Sequence, residues 1–237
     1  MAFWSKNRSP EQEKLHYLNQ FTRGQGRAEI LHEPGADVAM PDRWRQLAVL
    51  PVQQRVATAL GWWVDLVGAL LPKTAACLSE CLQDVEVMRV GQTVYLLYYL
   101  VNNKGTPLYF VGRDPGGVAE RSPVDWARVP EPLREFYRHF DGFCEFCSGA
   151  GLMWADQIES LVDDYWAVIE DLPEVRVDLA QTYLFFSNGG GGYVAVDLSD
   201  CDHGKAVLWW TDEAPTYDQD FWALVDEWMV ILFDNEE

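Results

Sequence analysis

Carboxylates are the side chains of this chain most able to do chemistry, and they are unevenly distributed. Residues 1–113 contain 12 Lys and Arg against 10 Asp and Glu, whereas residues 114–237 contain 6 against 27. From His139 onward the only basic residues are Arg176 and Lys205. A surface this acidic attracts cationic partners and repels nucleic acid and anionic membranes. The distribution therefore predicts a basic partner, which we expect to be a protein, for the second part of the chain.

Several acids of the second part are candidate partner-binding residues. A solvated surface that only aids solubility is the simpler interpretation, but it does not explain why residues 139–237 nearly exclude Lys and Arg. Asp197, Asp200 and Asp202 cluster at the end of a predicted strand, where closely spaced acids would meet a partner's basic residues and speed its encounter. The candidates are Asp163, Asp164, Asp197, Asp200, Asp202, Asp212, Glu213, Asp218 and Asp220.

Large aromatic residues lie near these acids in the sequence. They are Trp209, Trp210, Tyr217 and Trp222. Aromatic side chains beside charged groups often anchor a protein interface. We expect most of these four to belong to the core instead.

Residues 188–192 (NGGGG) invite comparison with a phosphate-binding loop. Such a loop needs a following helix whose N-terminus faces the anion, whereas a β-like segment follows here and the surroundings are acidic. We therefore interpret the run as a structural turn that uses the freedom of glycine to adopt positive φ. Its residues are Asn188, Gly189, Gly190, Gly191 and Gly192.

Two short cysteine and histidine pairs raise the question of a metal site. Cys144 and Cys147 are spaced Cys-x-x-Cys, and Cys201 and His203 are spaced Cys-x-His. Together they have the ligand types of a tetrahedral zinc site, but the second spacing is too short for the usual knuckle and the pairs are far apart. Free cysteines are common in cores, and no βαβ context supports a redox dithiol. We expect no metal and no other cofactor.

The histidines do not indicate a catalytic centre. None of His16, His32, His139 and His203 lies in a Ser-His-Asp or Cys-His pattern that the sequence can identify. His139 ends a predicted helix, where a cation suits the helix dipole. We predict that the protein is not an enzyme and has no catalytic residues, while an acidic enzyme with a site in the first part of the chain stays open as an alternative.

Hydrophobic patterning predicts the elements that position these residues. Residues 112–117 (GRDPGG) are interpreted as a linker at the point where the charge changes. We therefore divide the chain into residues 1–113, an N-terminal α+β region, and residues 114–237, an acidic domain. We predict helices over 9–22, 41–50, 51–71, 75–82, 130–140, 156–166 and 220–233, strands over 85–90, 94–101, 108–111, 152–154, 183–186, 193–198 and 206–210, and a loop over 27–40.

Composition indicates a folded chain outside the membrane. Hydrophobic residues make up 49% and aromatic residues 14%, which is enough to form a core despite the charge. Residues 1–10 have no apolar signal-peptide region, and the apolar stretch 56–71 is short and contains Asp65. Five cysteines, an odd number, do not suggest a disulfide framework. We expect a soluble, cytoplasmic protein that binds neither membranes nor nucleic acid.

The second part of the chain resembles the SUKH superfamily, which includes the yeast Smi/Knr cell-wall regulators, bacterial Syd and many bacterial immunity proteins. The resemblance covers roughly residues 120–237, and it departs from the family pattern at residues 129–130, which are Val-Pro where the family has Leu-Pro. The segments that carry it are 129–137 (VPEPLREFY), 140–142 (FDG), 185–198 (FFSNGGGGYVAVDL), 205–210 (KAVLWW) and 223–228 (ALVDEW).

This resemblance implies a fold and a function. The fold would be α+β, an antiparallel sheet packed against helices, preceded by a helix-rich α+β N-terminal region. The function would be that of a bacterial immunity protein that binds a cognate toxin domain, basic and directed at nucleic acid, and occludes it without turnover or cofactor. The alternative is a non-enzymatic regulatory or scaffolding protein of the Smi/Knr or Syd type, which binds a cellular partner.

Overall fold

Ten strands form one antiparallel sheet whose spatial order is the order of the chain. They lie within the residues that the computed structural model describes, which are 8–162, 175–200 and 205–234. The strands are β1 (Ala28–Ile30), β2 (Leu82–Val90), β3 (Thr93–Val101), β4 (Pro107–Arg113), β5 (Asp141–Glu145), β6 (Gly151–Leu152), β7 (Thr182–Ser187), β8 (Gly192–Asp197), β9 (Lys205–Trp210) and β10 (Thr216–Asp220).

Helices accompany the sheet, so the predicted α+β fold class is confirmed. Two short 3₁₀ helices, Ala155–Gln157 and Leu198–Asp200, also lie within the described residues. No helix of the described ranges combines the length and the apolar composition that crossing a membrane requires. The α-helices are α1 (Pro10–Leu18), α2 (Asp42–Ala48), α3 (Val52–Val67), α4 (Pro72–Cys81), α5 (Val118–Arg121), α6 (Glu131–His139) and α7 (Phe221–Asp234).

Local sequence explains where α1 begins. Ser9 accepts a hydrogen bond from the backbone N–H of Gln12 at 3.3 Å, and the Gln12 side chain accepts one from the N–H of Ser9 at 3.0 Å. Pro10 fits the first turn because its missing N–H would have no partner inside the helix. This reciprocal capping confirms the predicted helix start, and the helix ends at Leu18, earlier than predicted.

Most of the helices cover one face of the sheet. Their large side chains are buried together, and each fully buried side chain of the size of Leu or Phe contributes about 2–3 kcal/mol over exposure to water. The central members of this cluster are Trp44 of α2, Trp63 of α3, Tyr98 of β3, Phe136 of α6 and Val225 of α7.

The opposite face of the sheet is covered in two places. At one end Leu18 of α1 packs in a cluster with Met88 of β2. At the other end Leu161, from the segment after β6, packs with Leu184 of β7 and Trp209 of β9. Both faces of the central strands are therefore buried, which explains the nearly continuous hydrophobic sequence of β3.

The structure corrects four predictions of secondary structure. The predicted loop 27–40 contains β1, and β5 and β10 were not predicted at all. Residues 156–162 are not helical: a 3₁₀ turn is followed by a bridge between Ser160 and Tyr183 of β7. The rest of that predicted helix, 163–166, lies outside the described residues. In each case pairing with another strand decided the backbone conformation against a weak local preference.

The sheet continues across the predicted boundary between residues 113 and 114. β4 pairs with β5, with Val111 opposite Cys144. Aromatic packing crosses the same boundary, because the Phe110 ring lies 5.2 Å from the Phe143 ring and 5.0 Å from the Phe233 ring. Backbone pairing and core packing thus join the two parts, while their independent folding stays a prediction.

The buried carboxylate of Asp141 fastens the predicted linker to the sheet. Asp141 has no solvent exposure. Arg121 donates to it at 2.8 Å, the Arg113 Nε lies at 3.3 Å, and the backbone N–H of Ala155 donates at 2.7 Å. A buried charge is tolerated only when it is paired and hydrogen-bonded in this way. Residues 113–121 are therefore held in place, and do not act as a free connection.

A second buried carboxylate, Asp226 of α7, joins the two parts of the chain. It accepts hydrogen bonds from the N–H of Lys73 at 3.0 Å and from the N–H and hydroxyl of Thr74 at 2.8 Å each. These amides are in the first turn of α4, where the residue before the helix, Leu71, provides no side-chain cap. A helix N-terminus needs such an acceptor, and α7 supplies it from 152 residues away.

We expect Asp226→Ala to lower the free energy of unfolding by about 3 kcal/mol, because it removes the cap and leaves buried donors without partners. Glu227→Ala is the matched control: Glu227 pairs with Lys73, and both side chains are more than half exposed. Its loss is expected to cost less than about 1 kcal/mol. Chemical denaturation of both variants measures the difference, and equal losses would contradict the capping role of Asp226.

Candidate partner-binding surface

The candidate acids that the structure describes fall mainly into two groups at opposite ends of β9. Asp220 ends β10 opposite Lys205, the first residue of β9, and Asp197 ends β8 next to Val196, which lies opposite Ala206 of β9. Asp212 and Glu213 follow the other end of β9, in the connection to β10. A strand of six residues spans roughly 17 Å between its first and last residues. The acids therefore form two clusters, one at each end of the sheet.

The remaining candidates are placed as follows. Asp200 closes the 3₁₀ helix that follows Asp197, so it extends the first group. Asp218 is exposed within β10, between the two groups. Asp163, Asp164 and Asp202 lie outside the described residues.

The two groups differ in their local contacts. In the first group, Asp197 accepts hydrogen bonds from the N–H and hydroxyl of Ser199 at 2.8 and 2.6 Å. Asp220 accepts one from the N–H of Ala223 at 2.9 Å and so caps α7. In the second group, Asp212 and Glu213 are exposed and form no hydrogen bond or ion pair with the described residues. The first group therefore also has a structural role.

Two acids of α7 are neutralised by basic residues of the first part of the chain. Lys73 of α4 pairs with Glu227, and Lys104 of the β3–β4 turn lies 3.5 Å from a carboxylate oxygen of Asp234. Both acids are on α7, and both basic residues come from the first part of the chain. Around β9 and β10 the basic residues are Lys205, which begins β9 opposite Asp220, and Arg176, which lies over the ring of Tyr217. The acids in this region outnumber these two cations, so it has a net negative charge.

Aromatic side chains near these acids are more buried than an exposed anchor would be. Trp209 has no solvent exposure and is part of the core. The other three are half-buried, and the guanidinium of Arg176 lies 5.5 Å from the centre of the Tyr217 ring. A cation held over an aromatic face is a favourable contact. The half-buried residues are Trp210, Tyr217 and Trp222.

The glycine run forms the connection between β7 and β8. The Asn188 side chain accepts hydrogen bonds from the N–H groups of Gly190 and Gly192, both at 2.8 Å. Gly189 and Gly191 have φ of +76° and +87°, which L side chains rarely adopt. β8 follows the run, and the amides of Gly189, Gly190 and Gly192 donate to side-chain oxygens of Ser187 and Asn188 within this connection.

Gly192→Ala is expected to cost about 1–3 kcal/mol of stability, because a Cβ there would lie 2.6 Å from Asn188 and 2.7 Å from the Trp210 ring. Gly190→Ala is the control, since its nearest neighbour would lie at an ordinary 3.7 Å. Thermal unfolding of the two variants tests this. Equal melting temperatures would show that the turn can relax around the added methyl group.

The cysteines and histidines of the proposed metal pairs are not assembled within the described part of the chain. Burial raises the pKa of the Cys144 thiol to about 12, so this thiol stays protonated at neutral pH. Cys201 and His203 lie outside the described residues. No group of three or more His, Cys, Asp or Glu side chains is placed for a metal among the residues described. His139 pairs instead with Glu135, at 3.0 Å on the same helix.

A groove in the first part of the chain was not indicated by the sequence. It lies between α1 and the sheet, has a volume of about 780 Å³, and is lined by Tyr17, Tyr99 and Tyr109 among others. Burial raises the pKa of Tyr109 to about 12, and Arg55 binds both carboxylate oxygens of Asp84 at 2.8 and 2.6 Å. Glu11, Glu13 and His16 also line this groove.

Comparison with known proteins places part of the chain in a family. Residues 127–231 match the model of the SMI1 / KNR4 family (SUKH-1). This segment includes α6, β5 to β10 and most of α7, so the resemblance of the second part to the SUKH superfamily is confirmed. No curated protein and no solved structure matches the chain. The first four strands and α1 to α5 lie outside the matched segment.

Proposed function

We propose that this protein, whose residues 127–231 have the SUKH-1 family pattern, is a bacterial immunity protein that binds and occludes a basic toxin domain. The observation that carries the proposal is the excess of acids over basic residues around β9 and β10. The family match supports the general class, and the surface supports a cationic partner. The toxin role is our inference from the two together.

The proposed mechanism is stoichiometric occlusion without turnover. A toxin that acts on nucleic acid must hold phosphates with Lys and Arg, and those contacts provide most of its affinity for nucleic acid. Carboxylates that reach the same basic groups would compete for them. The two acidic groups at the ends of β9, roughly 17 Å apart, would span about five nucleotides of one DNA strand at 3.4 Å each. The two acidic groups would therefore contact several of the toxin's phosphate-binding Lys and Arg residues at the same time.

The second candidate is a regulatory or scaffolding protein of the Smi/Knr or Syd type. The observation in its favour is that the matched family is the one described by SMI1 and KNR4. The same acidic surface would then bind a basic cellular protein. The neighbouring gene separates the two functions: a large upstream coding region with a variable, basic C-terminal domain favours immunity, and its absence favours a regulator.

Co-expression tests the immunity function directly. The protein is produced together with the C-terminal domain encoded by the neighbouring large gene. We expect it to restore growth and to co-purify with that domain in a defined ratio. Toxicity that persists, with no co-purification, would exclude the immunity role against that domain.

Charge-neutralising variants test the surface. We expect Asp212→Asn with Glu213→Gln, and separately Asp197→Asn with Asp200→Asn, to slow association with the toxin about 3- to 10-fold at low salt and to weaken its salt dependence. Asn at residue 197 keeps the oxygen that accepts from Ser199. The measurement is surface plasmon resonance or stopped-flow fluorescence at several salt concentrations.

The control for these variants is Glu11→Gln with Glu13→Gln in α1, which removes the same amount of charge far from β9. We expect its association rate to change less than twofold. An equal effect of control and test variants would assign the attraction to net charge alone. Unchanged kinetics in the test variants would remove the two acidic groups from the interface.

A further inference from the structure

The groove beside α1 presents aromatic and apolar side chains that the described part of the chain leaves accessible. The ring of Tyr109 lies 5.4 Å from the ring of Tyr99 and 5.4 Å from that of Tyr17, so the three rings form a row, which we call the tyrosine row. Tyr99 and Tyr109 are half-buried, and Val52 and Pro107 are exposed at the rim. Accessible apolar surface of this kind is stabilised when another apolar group covers it.

The chain itself reaches this groove at Arg8. Arg8 and Pro10 both line it, and it follows α1 as far as Tyr17, which is roughly 10 Å along the helix axis at 1.5 Å per residue. Ser9, the N-cap between them, has extended backbone with φ of −70° and ψ of 160°. Residues 1–7, which we call the leading segment, lie outside the described residues, and they are joined to the chain at this groove.

The leading segment has the composition that such a groove favours. Its sequence is MAFWSKN, in which Phe3 and Trp4 are large and aromatic. Trp4 is four residues before Arg8, so an extended chain reaches up to roughly 14 Å at about 3.5 Å per residue. This reach exceeds the length of the groove along α1. Aromatic rings prefer offset-stacked or edge-to-face contacts with one another, which stabilise by more than the area that they bury.

Attachment at the groove favours this segment over one from another molecule. A group tethered by a few residues has an effective concentration in the millimolar range, so a contact too weak to hold a free peptide still forms within one chain. The net charge of −19 also opposes the approach of a second copy of the chain. The described residues that line the groove all precede residue 127, so this site is separate from the segment that matches the family.

We propose that the leading segment folds back and docks Phe3 and Trp4 against the tyrosine row of its own chain. The docked segment would cover Tyr99, Tyr109 and Val52, and it would keep the groove closed to other apolar ligands. This inference goes beyond the proposed function, because it assigns an occupant to a groove in the first part of the chain and involves no toxin.

Photo-crosslinking of the full chain tests this docking. The photoreactive residue p-benzoylphenylalanine is placed at residue 4, and the products of irradiation are separated by size and mapped by mass spectrometry. We expect most cross-links to join residue 4 to groove-lining residues in a product of monomer size, with a yield that does not change over a tenfold dilution. Cross-linked dimers, cross-links only outside the groove, or no cross-links at all would overturn docking within the chain.

Two exposed valines of α3 provide matched variants for this measurement. Val52 lines the groove and is 44% exposed, whereas Val64 is 58% exposed and lies twelve residues further along the same helix, roughly 18 Å away. Val52→Glu and Val64→Glu are both expected to keep the native circular dichroism spectrum, because exposed positions tolerate a charge. We expect Val52→Glu to reduce the cross-links to the groove at least about fivefold, and Val64→Glu less than twofold. Equal yields in the two variants would contradict the assignment of the groove.

A labelled peptide with the sequence of the leading segment and blocked ends tests whether the groove is already occupied. Its affinity is measured by fluorescence anisotropy for the unchanged full chain and for the full chain with Phe3→Ala and Trp4→Ala. We expect binding to this variant to be at least about fivefold tighter, because the segment of the unchanged chain competes with the peptide. A peptide with Ser in place of both aromatic residues is the control and is expected not to bind. Equal affinity of the first peptide for the two proteins would overturn the proposal.

Discussion

The centre of the sheet depends on Asp141, a carboxylate with no solvent exposure that binds two arginines and a backbone amide. Removing either arginine would leave a buried charge short of a partner, which is among the most costly defects in a folded protein. Arg113 ends β4 and Asp141 begins β5, so this interaction lies where the first four strands meet the segment that matches the family. The continuous order of ten strands passes through this point.

Intramolecular pairing explains where the acidic surface is found. The first part of the chain uses its basic residues on the acids nearest to it: Lys73 and Lys104 reach Glu227 and Asp234 of α7. Around β8 to β10 the basic residues are Lys205, which begins β9, and Arg176, which lies over the ring of Tyr217, and the acids there outnumber them. The net charge of −19 is therefore not distributed evenly over the molecule. The N-terminal region helps to define the acidic surface, because its lysines neutralise acids of α7 and none is paired with the acids at the ends of β9 among the described residues.

A rigid support makes this surface suitable for recognising a partner. Asp197 and Asp220, at one end of β9, are on paired strands whose inner residues, such as Val194 of β8, are fully buried. Asp197 and Asp220 are further fixed by hydrogen bonds to nearby backbone amides. Groups held in place before binding lose little conformational entropy when a partner arrives. These two fixed carboxylates suit the proposed recognition of a basic protein.

The sequence by itself determined the features that depend on neighbouring residues. Local geometry accounts for the capping box of Ser9 and Gln12, for the hydrophobic strand β3 and for the glycine connection at 188–191. The acidic second part and its resemblance to the family can also be recognised from the sequence alone. Tertiary structure decided the rest. β10, with the polar sequence TYDQD, is a strand because β9 supplies its hydrogen bonds. Asp226 caps α4 only because folding places it at the N-terminus of that helix, 152 residues away from Thr74 in the sequence. The candidate acids form two groups because the length of β9 separates them. Long-range pairing sets these features, and no local pattern encodes the distance between residues far apart in the chain.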